Sequence, residues 1–248
     1  MKNTLLLSLK TTIFPTTFRF FPMLLILFAG LANAATLSFS DSFEGPSINP
    51  FWTTELTFGT INLSTDHAVL GNQSVKISSS PGGQRFVNLA HDFGQEMRGS
   101  VSVWFYDGYP GQQTLYSGLG LNSAATGIGI GIGIKDWDPT YYHAGDGPNE
   151  AITSIQRSLG WHKFDAILDV ASTKFFIDGI LASESSTSYS FSKLILQVMD
   201  PVWRPNAQYY FDDFSASLST VNVSEPSTIF LLVSGMSLAG LFRRKPKP

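Results

Sequence analysis

The stretch Gly99-Ser-Val-Ser-Val-Trp-Phe-Tyr106 alternates in side-chain character with a period of two, as a half-buried β-strand does. Five further stretches have a comparable β-strand pattern: residues 74–79, 163–169, 174–178, 193–198 and 209–217. The dipeptides Asp107-Gly108 and Asp178-Gly179 are typical of hairpin turns. No segment keeps a period of 3.6, so the sequence predicts an all-β chain of antiparallel strands.

The composition separates a middle region from two basic ends. The 248 residues include no Cys, which excludes disulfides, thiolate metal sites and a thiol nucleophile. The formal net charge is -3, but residues 35–222 hold twice as many acidic as basic side chains. Because an acidic domain repels a phosphate backbone, we expect no nucleic-acid partner.

The N-terminal region has the three parts of a secretory signal peptide. Lys2, Lys10 and Arg19 precede a short apolar run over residues 20–31, and Ala32-Asn33-Ala34 then supplies small residues for cleavage. We predict a signal peptide over residues 1–34, cut before Ala35. The alternatives are an uncleaved anchor or a core helix, although the run is short for a spanning helix of about 20 residues.

The C-terminal region combines a polar motif, a short apolar segment and a basic cluster. The apolar segment covers residues 229–242, which as a helix would span about 21 Å against a hydrocarbon core of about 30 Å. Positive charge stays on the cytoplasmic side, which places both ends inside and the middle across the membrane. We therefore predict a short membrane helix over residues 229–242.

These features resemble the PEP-CTERM sorting signal that exosortases process. The matching positions over residues 221–248 are Glu225, Pro226, Ser227, Arg243 and Arg244, whereas Ser224 stands where the family usually has Pro. The resemblance implies recognition in the inner membrane, processing near Glu225-Pro226, and delivery to the cell surface or extracellular matrix of a Gram-negative bacterium. Exosortase and signal peptidase would be partners during export, and membrane contact would be transient. An ordinary tail anchor is the alternative.

The middle region resembles concanavalin A-like and carbohydrate-binding-module jelly rolls. The resemblance rests on four short motifs: Asp41-Ser-Phe-Glu-Gly, Leu159-Gly-Trp-His-Lys-Phe, Phe176-Ile-Asp-Gly and Tyr210-Phe-Asp-Asp-Phe. It implies a two-sheet antiparallel jelly-roll sandwich over residues 35–220. In this alternation Trp161 is assigned to the core.

The same resemblance implies a structural Ca²⁺ ion that ties the opening of the domain to its close. The corresponding residues are Glu44 with Asp212 or Asp213, helped by Asp41. Successive strand residues point to opposite faces, so one of Asp212 and Asp213 faces inward, and a buried carboxylate needs a partner. Calcium accepts six to eight oxygen ligands and suits such a site. Exposed acids at strand ends are the alternative.

The segment Gly127-Ile-Gly-Ile-Gly-Ile-Gly-Ile134 predicts a strand with one isoleucine face and one glycine face. The glycine face leaves room for an aromatic side chain of the same domain or for a ligand such as a sugar ring. No helix pattern follows, which excludes a nucleotide-binding loop.

A loop rich in Pro and Gly is predicted after this strand, and rigid sandwiches commonly bind ligands on their loops. Its aromatic and acidic residues suit sugar binding, and we predict ligand contacts from Trp137, Asp138, Tyr141 and Tyr142. Packing beneath a long loop is the alternative.

Catalytic motifs are not found in the sequence. Laminarinase-like jelly rolls carry Glu-x-Asp-x-x-Glu on one strand, and neither this spacing nor Gly-x-Ser-x-Gly occurs. The acids nearest to such a cluster, Asp146 and Glu150, lie in the Gly/Pro-rich segment. The sequence therefore predicts an exported surface or matrix protein with a non-catalytic, polysaccharide-binding domain. The alternatives are a structural biofilm-matrix protein without a specific ligand and a glycoside hydrolase-like enzyme.

Overall fold

The alternating stretches form strands in the computed structural model, which describes residues 36–56, 58–80, 85–112, 116–135, 138–146, 150–200 and 207–221. All of them belong to one unit spanning residues 33–248. The predicted signal peptide, sorting motif and membrane helix lie outside the described residues. Within the described ranges no helix is both long and apolar enough to cross a membrane.

Fourteen strands follow one another along the described chain, and all their pairings are antiparallel. They are β1 (Thr36–Asp41), β2 (Thr53–Leu56), β3 (Gly59–Ser64), β4 (Ser74–Ser79), β5 (Arg85–Asp107), β6 (Tyr116–Asn122), β7 (Gly129–Lys135), β8 (Asp138–Asp146), β9 (Ala151–Gln156), β10 (Gly160–Leu168), β11 (Thr173–Ile177), β12 (Ile180–Ser185), β13 (Phe191–Asp200) and β14 (Gln208–Thr220). The predicted all-β, antiparallel jelly-roll sandwich is confirmed.

The strands form two sheets that share β5. The first sheet has the order β2-β5-β13-β6-β7-β8-β9, and the second has the order β12-β11-β10-β5-β14. Strand β1 and the β4-β3 pair add to the far side of β14. Both sheets of the sandwich are therefore connected by backbone hydrogen bonds through β5.

Strand β5 changes sheet because its two halves pair with different neighbours. Residues 85–92 pair with β13, whereas residues 99–107 pair with β10. Between them Gly94 has φ 66° and Gly99 has φ 137°, which glycine adopts without strain. A Cβ on Gly99 would also overlap the carbonyl oxygen of Ser217 on β14. These two glycines therefore allow one strand to bend from the first sheet into the second.

The hydrophobic core fills the space between the sheets. On β5 the side chains of Val101, Val103 and Phe105 point inward and are fully buried. The ring of Phe105 stacks on Phe164 of β10 and on Tyr209 of β14, with centroids 5.0 and 5.3 Å apart. Burying one such ring contributes about 1.5–3 kcal/mol, so the stretch quoted first forms the centre of the core.

A buried ion pair ties the end of β5 to the chain after β9. Arg157 donates from Nε and Nη2 to the two carboxylate oxygens of Asp107, at 2.8 and 3.0 Å. Its Nη1 and Nη2 also donate to the carbonyl oxygens of Gln112, Pro139 and Tyr109. Both charged groups are buried, so removing either one would leave the other as a buried, unpaired charge and destabilise the fold.

The substitution Arg157→Met is expected to lower the free energy of unfolding by about 3–5 kcal/mol, because it leaves Asp107 as a buried, unpaired charge. Adding Asp107→Leu to the same chain should recover part of the loss. Urea unfolding followed by tryptophan fluorescence measures both. Lys174→Met is the control: its pair with Glu184 is exposed, so it should cost less than about 1 kcal/mol. Equal losses for Arg157→Met and Lys174→Met would contradict this account.

Candidate functional site

A glycine-lined surface lies on the outer side of the first sheet, on β6 and β7. The core-facing residues of these strands are Leu119, Leu121, Ile130, Ile132 and Ile134. By strand alternation the opposite side carries the residues that we call the glycine face: Gly118, Gly120, Gly131 and Gly133. The register pairs Gly118 with Gly133 and Gly120 with Gly131. The predicted separation of an isoleucine face from a glycine face is confirmed for β7.

Tyr116, at the start of β6, lies against the glycine face. Its hydroxyl donates to the carbonyl oxygen of Leu119 at 2.8 Å and lies 3.4 Å from that of Ile132. A Cβ on Gly131 would overlap this hydroxyl. Of the two predicted occupants, an aromatic side chain of the same domain is therefore the one that contacts Gly131.

A largely buried ion pair adjoins Tyr116. Lys135, at the end of β7, forms an ion pair with Glu150 and places its ammonium 5.5 Å from the centroid of the Tyr116 ring. The side chain of Glu150 is 6% exposed, and its Oε1 is buried without a hydrogen-bond partner among the described residues. His143 of β8 pairs in register with Gly133 and so shares this face. We call Tyr116, Lys135, His143 and Glu150 the outer-face cluster.

Burial sets the protonation of this cluster. It raises the pKa of Glu150, against the hydrogen bond and charge of Lys135 and with the help of the charge of Asp146. Burial, and then the charge of Glu150, raises the pKa of Tyr116. Burial, and then the charge of Lys135, lowers the pKa of His143. The cluster therefore combines a protonated phenol, a neutral imidazole and a carboxyl group that keeps its proton to higher pH than an exposed one.

A second ion pair borders the glycine face on its other side. Glu55 of β2 accepts from Lys193 of β13 at 2.5 Å and from Asn88 of β5 at 3.3 Å. Neighbouring strands lie about 4.8 Å apart, so β2 and β7, four strands apart, are separated by about 19 Å. The two catalytic carboxyl groups of a glycosidase lie about 5–9.5 Å apart. Glu55 and Glu150 therefore mark opposite borders of one surface and do not form an acid pair.

The residues predicted to contact a ligand are not brought together. Their segment is strand β8, paired on both sides, and not a loop. Tyr142 points into the core and is fully buried, so its predicted role as a surface ligand contact is corrected. Tyr141 alternates to the outer side, next to His143. Asp138 accepts from the backbone N–H groups of Thr140 and Tyr141. Trp137 lies outside the described residues.

The carboxylates predicted to bind calcium accept hydrogen bonds from different segments of the chain. Asp41 accepts from the backbone N–H of Phe43 and from Nε1 of Trp52, both at 2.8 Å. Glu44 accepts from two successive backbone N–H groups, at residues 72 and 73, which lower its pKa.

Asp212 is the inward-facing acid of its pair and is fully buried. It accepts from the backbone N–H groups of Val69 and of Asp213, where β14 bulges. Its burial raises its pKa. Within the described ranges no three His or acidic side chains converge as a metal site requires. Protein N–H donors already stabilise the carboxylates of Asp41, Glu44 and Asp212. The calcium ion stays a prediction from the sequence.

Ser158, His162 and Asp178 are arranged in the order of a Ser-His-Asp triad. His162 Nδ1 lies 2.8 Å from Asp178 Oδ2, and Nε2 lies 3.1 Å from Ser158 Oγ. However, Nε2 also lies 2.9 Å from the Ser158 carbonyl oxygen, which can only accept. A nitrogen that donates to this carbonyl has no lone pair with which to take the serine proton. The histidine therefore joins the start of β10 to the β11–β12 turn and does not activate Ser158.

The outer-face cluster was not predicted from the sequence. A usable signal was present, because β6 reads Tyr116-Ser-Gly-Leu-Gly-Leu121 and so repeats the glycine alternation of β7. Two matching strands joined by a short connection are expected to pair. Their pairing would have placed Tyr116 opposite Lys135, as the register does. Glu150 has no comparable signal, since it lies outside the alternating stretches of the sequence.

Comparison with known structures finds this architecture among carbohydrate-active proteins. The laminarinase catalytic domain from Thermotoga maritima MSB8 is similar over 77% of this chain and 100% of its own, with a TM-score of 0.54 and 13% identity. Bacillus licheniformis β-glucanase is similar over 75% and 98%, with a TM-score of 0.51 and 14% identity. The cellulose-induced protein Cip1 is similar over 72% and 96%, with a TM-score of 0.53 and 16% identity. No protein-family model matches the sequence, and no curated protein matches it.

These matches confirm the resemblance to concanavalin A-like jelly rolls at the level of fold. They also overturn the prediction that the domain is not an enzyme, because a laminarinase catalytic domain and a β-glucanase share the architecture. The prediction rested on the absence of catalytic motifs in the sequence, and a motif search does not exclude a site whose side chains come from neighbouring strands.

The close fit of Tyr116 against the glycine face makes Gly131 intolerant of a side chain. Gly131→Ala is expected to lower the free energy of unfolding by about 1–3 kcal/mol, because its Cβ would meet the Tyr116 hydroxyl and lie 2.7 Å from the Leu119 carbonyl oxygen. Gly120→Ala is the matched control, since the nearest atom to its Cβ is 3.8 Å away. Thermal and urea unfolding measure both. A loss for Gly120→Ala as large as for Gly131→Ala would disprove the close fit.

Proposed function

We propose that this chain is an exported, carbohydrate-active protein whose sandwich takes a polysaccharide across the glycine face and hydrolyses its glycosidic bonds. The observation that carries the proposal is the buried Glu150, whose pKa is raised by its burial although Lys135 lies beside it. The fold shared with a laminarinase and a β-glucanase supports a polysaccharide as the substrate class.

The surface suits an extended chain of sugars. The glycines add no side chains to this side of the sheet and are themselves buried, so a sugar chain contacts the side chains that surround them. Tyr116, Tyr141 and Lys135 are partly exposed on this side of the sheet, so a chain arriving from solvent meets two aromatic rings and an ammonium group. Ring faces pack on sugar C–H groups, and the ion pairs at the two borders bind hydroxyl groups.

Glu150 is suited to the role of general acid. Its raised pKa keeps a proton on the carboxyl group at a pH where an exposed glutamate is ionised. The proton goes to the glycosidic oxygen as the bond to the anomeric carbon breaks; a water molecule then adds its hydroxyl group to that carbon and returns its proton to the Glu150 carboxylate. Lys135 contacts the same carboxylate and stabilises the charge that remains after proton transfer.

Export is the second part of the proposal. It rests on the signal-peptide pattern of residues 1–34 and on the sorting motif that begins at Ser224. On this proposal signal peptidase removes the first segment, an exosortase processes the second, and the domain acts at the cell surface or in the extracellular matrix. A structural calcium ion held by Glu44 with Asp212 or Asp213, and helped by Asp41, belongs to the same sequence-based proposal.

The purified protein is expected to release reducing ends from at least one β-glucan or acidic polysaccharide in a panel, assayed with calcium and with chelator. Glu150→Gln keeps the size of the side chain but removes the acid, so activity should fall by about 10²–10⁴-fold. The control is Asp165→Asn, which lies on the second sheet beside Lys163 and should leave activity unchanged. The rate should decline as pH rises through the pKa of Glu150, which burial raises above that of an exposed glutamate.

Two outcomes would refute the catalytic proposal. One is glycan binding by the wild-type protein with no turnover of any substrate in the panel. The other is turnover that Glu150→Gln leaves intact while the variant melts at the wild-type temperature.

Replacing Glu225 and Pro226 by Ala is expected to trap the full-length chain in the inner membrane of a host that has an exosortase. Fractionation and blotting for the sandwich domain measure this. Replacing Ser219 and Thr220 by Ala, just upstream, is the control and should leave release unchanged. Normal release of the Glu225/Pro226 variant would remove the exosortase from the proposal.

A further inference from the structure

Arg98 of β5 is the one Lys or Arg without an ion pair among the basic side chains that the structure describes. The others each pair with a carboxylate: Lys76, Lys135, Arg157, Lys163, Lys174 and Lys193. Arg98 donates one hydrogen bond, from Nε to the carbonyl oxygen of Tyr189 at 3.1 Å. Residues 35–222 hold twice as many acidic as basic side chains, so a shortage of carboxylates does not explain why this guanidinium is unpaired.

Arg98 lines a groove at the end of the second sheet, where β10, β5 and β14 lie side by side. The groove has a volume of about 370 Å³, and its walls also include Leu168, Asp169, Val170, Ser219 and Thr220. Arg98 pairs in register with Ser219, so their side chains lie on the same face of the sheet. The volume falls within the range of about 300–1,000 Å³ that is usual for small-molecule sites.

Asp169, the acid on the walls of this groove, does not neutralise Arg98. Its Oδ1 accepts from the backbone N–H of Val170 at 2.7 Å, and its carbonyl oxygen accepts from the hydroxyl of Ser188 at 2.8 Å. Its own N–H donates to the carbonyl oxygen of Ser172 at 2.8 Å. These bonds hold Asp169 in the turn after β10. The groove therefore presents a guanidinium and a carboxylate that form no ion pair with each other.

We infer that this groove binds a uronic-acid residue of an acidic polysaccharide. The planar guanidinium of Arg98 presents N–H donors that match the two oxygens of a carboxylate. Sugar hydroxyl groups donate to Asp169 and exchange hydrogen bonds with the hydroxyls of Ser219 and Thr220. Val170 is 77% exposed and offers an apolar contact for the C–H groups of the ring.

The charges on the walls favour this ligand class over other anions and over neutral sugars. A phosphate group carries about 1.5–2 negative charges near pH 7, so Asp169 repels it more strongly than a carboxylate. A neutral sugar brings no charge to pair with Arg98. Because the other described basic side chains are already paired, an acidic sugar chain finds its free cation in this groove.

The inference goes beyond the proposed hydrolase and does not depend on it, since no wall residue belongs to the outer-face cluster. The test is isothermal titration calorimetry of the purified protein with glucuronate and galacturonate. Glucose and galactose are the matched neutral sugars, and acetate and inorganic phosphate are the plain anions. At least one uronate is expected to bind saturably, and more tightly than its neutral counterpart and both anions.

Variants then place the binding in the groove. Arg98→Met should weaken uronate binding by about 10–100-fold, because hydrogen bonds to charged groups contribute on this scale. Val170→Asp adds a negative charge at an exposed position, so it should weaken binding while the free protein melts at the wild-type temperature. Lys163→Met removes a basic side chain at the other end of β10 and should leave the affinity unchanged.

Glu150→Gln should also keep uronate binding, even where polysaccharide cleavage is lost, so the two proposals fail separately. Unchanged affinity in Arg98→Met would overturn the inference, and where that variant does not fold, unchanged affinity in Val170→Asp decides against it. Equal binding of the neutral sugars, or of acetate or phosphate, would overturn it as well. So would the absence of binding for both uronates.

Discussion

Strand β5 pairs with β13 in the first sheet and with β10 and β14 in the second, so it must be in register with both sheets at once. The positions of the other strands depend on these pairings. Met97 pairs with Phe191 of β13 and with Thr220 of β14, so the registers of the two sheets meet at one residue. A slip of one position in the second half would turn Val101 and Val103 out of the core, and a slip in the first half would do the same to Val87 and Leu89. The glycines at 94 and 99 confine the bend to one place, which lets both halves keep their inward faces.

Aromatic side chains stabilise the region around this bend. Phe39 stacks on Phe51 with centroids 3.6 Å apart, and Trp52 packs edge-on against Phe214 at 4.9 Å. Phe93, just before the bend, packs against Phe51. Aromatic rings are therefore closely packed where the sheets join. The far edges, with β8, β9, β11 and β12, can then carry a buried carboxylate and a glycine-lined surface.

The fold could be read from the sequence where side-chain alternation was unbroken, and not elsewhere. The six quoted stretches lie within β4, β5, β10, β11, β13 and β14 apart from residues just past their ends. The first half of β5 was missed because Asn88 and His91 interrupt its apolar run, although residues 87–90 are all buried. Trp161 was assigned to the core, yet β10 turns His162 inward and Trp161 outward against Tyr106. Which alternate residues of a strand face the core depends on the neighbouring strands, and a single sequence does not show those neighbours.

The candidate site was less predictable than the fold, because its chemistry is divided among consecutive strands. Antiparallel strands β6, β7, β8 and β9 bring Tyr116, Lys135, His143 and Glu150 to one face although each comes from a different segment. A search for two acids on one strand cannot find such a group. The glycine face keeps the alternation of β6 and β7, but its glycines add no side chains of their own. At Gly131 the side chain of Tyr116, from the start of β6, lies in the space that a side chain at this position would need. The contact therefore depends on the pairing of β6 with β7, which no single strand discloses.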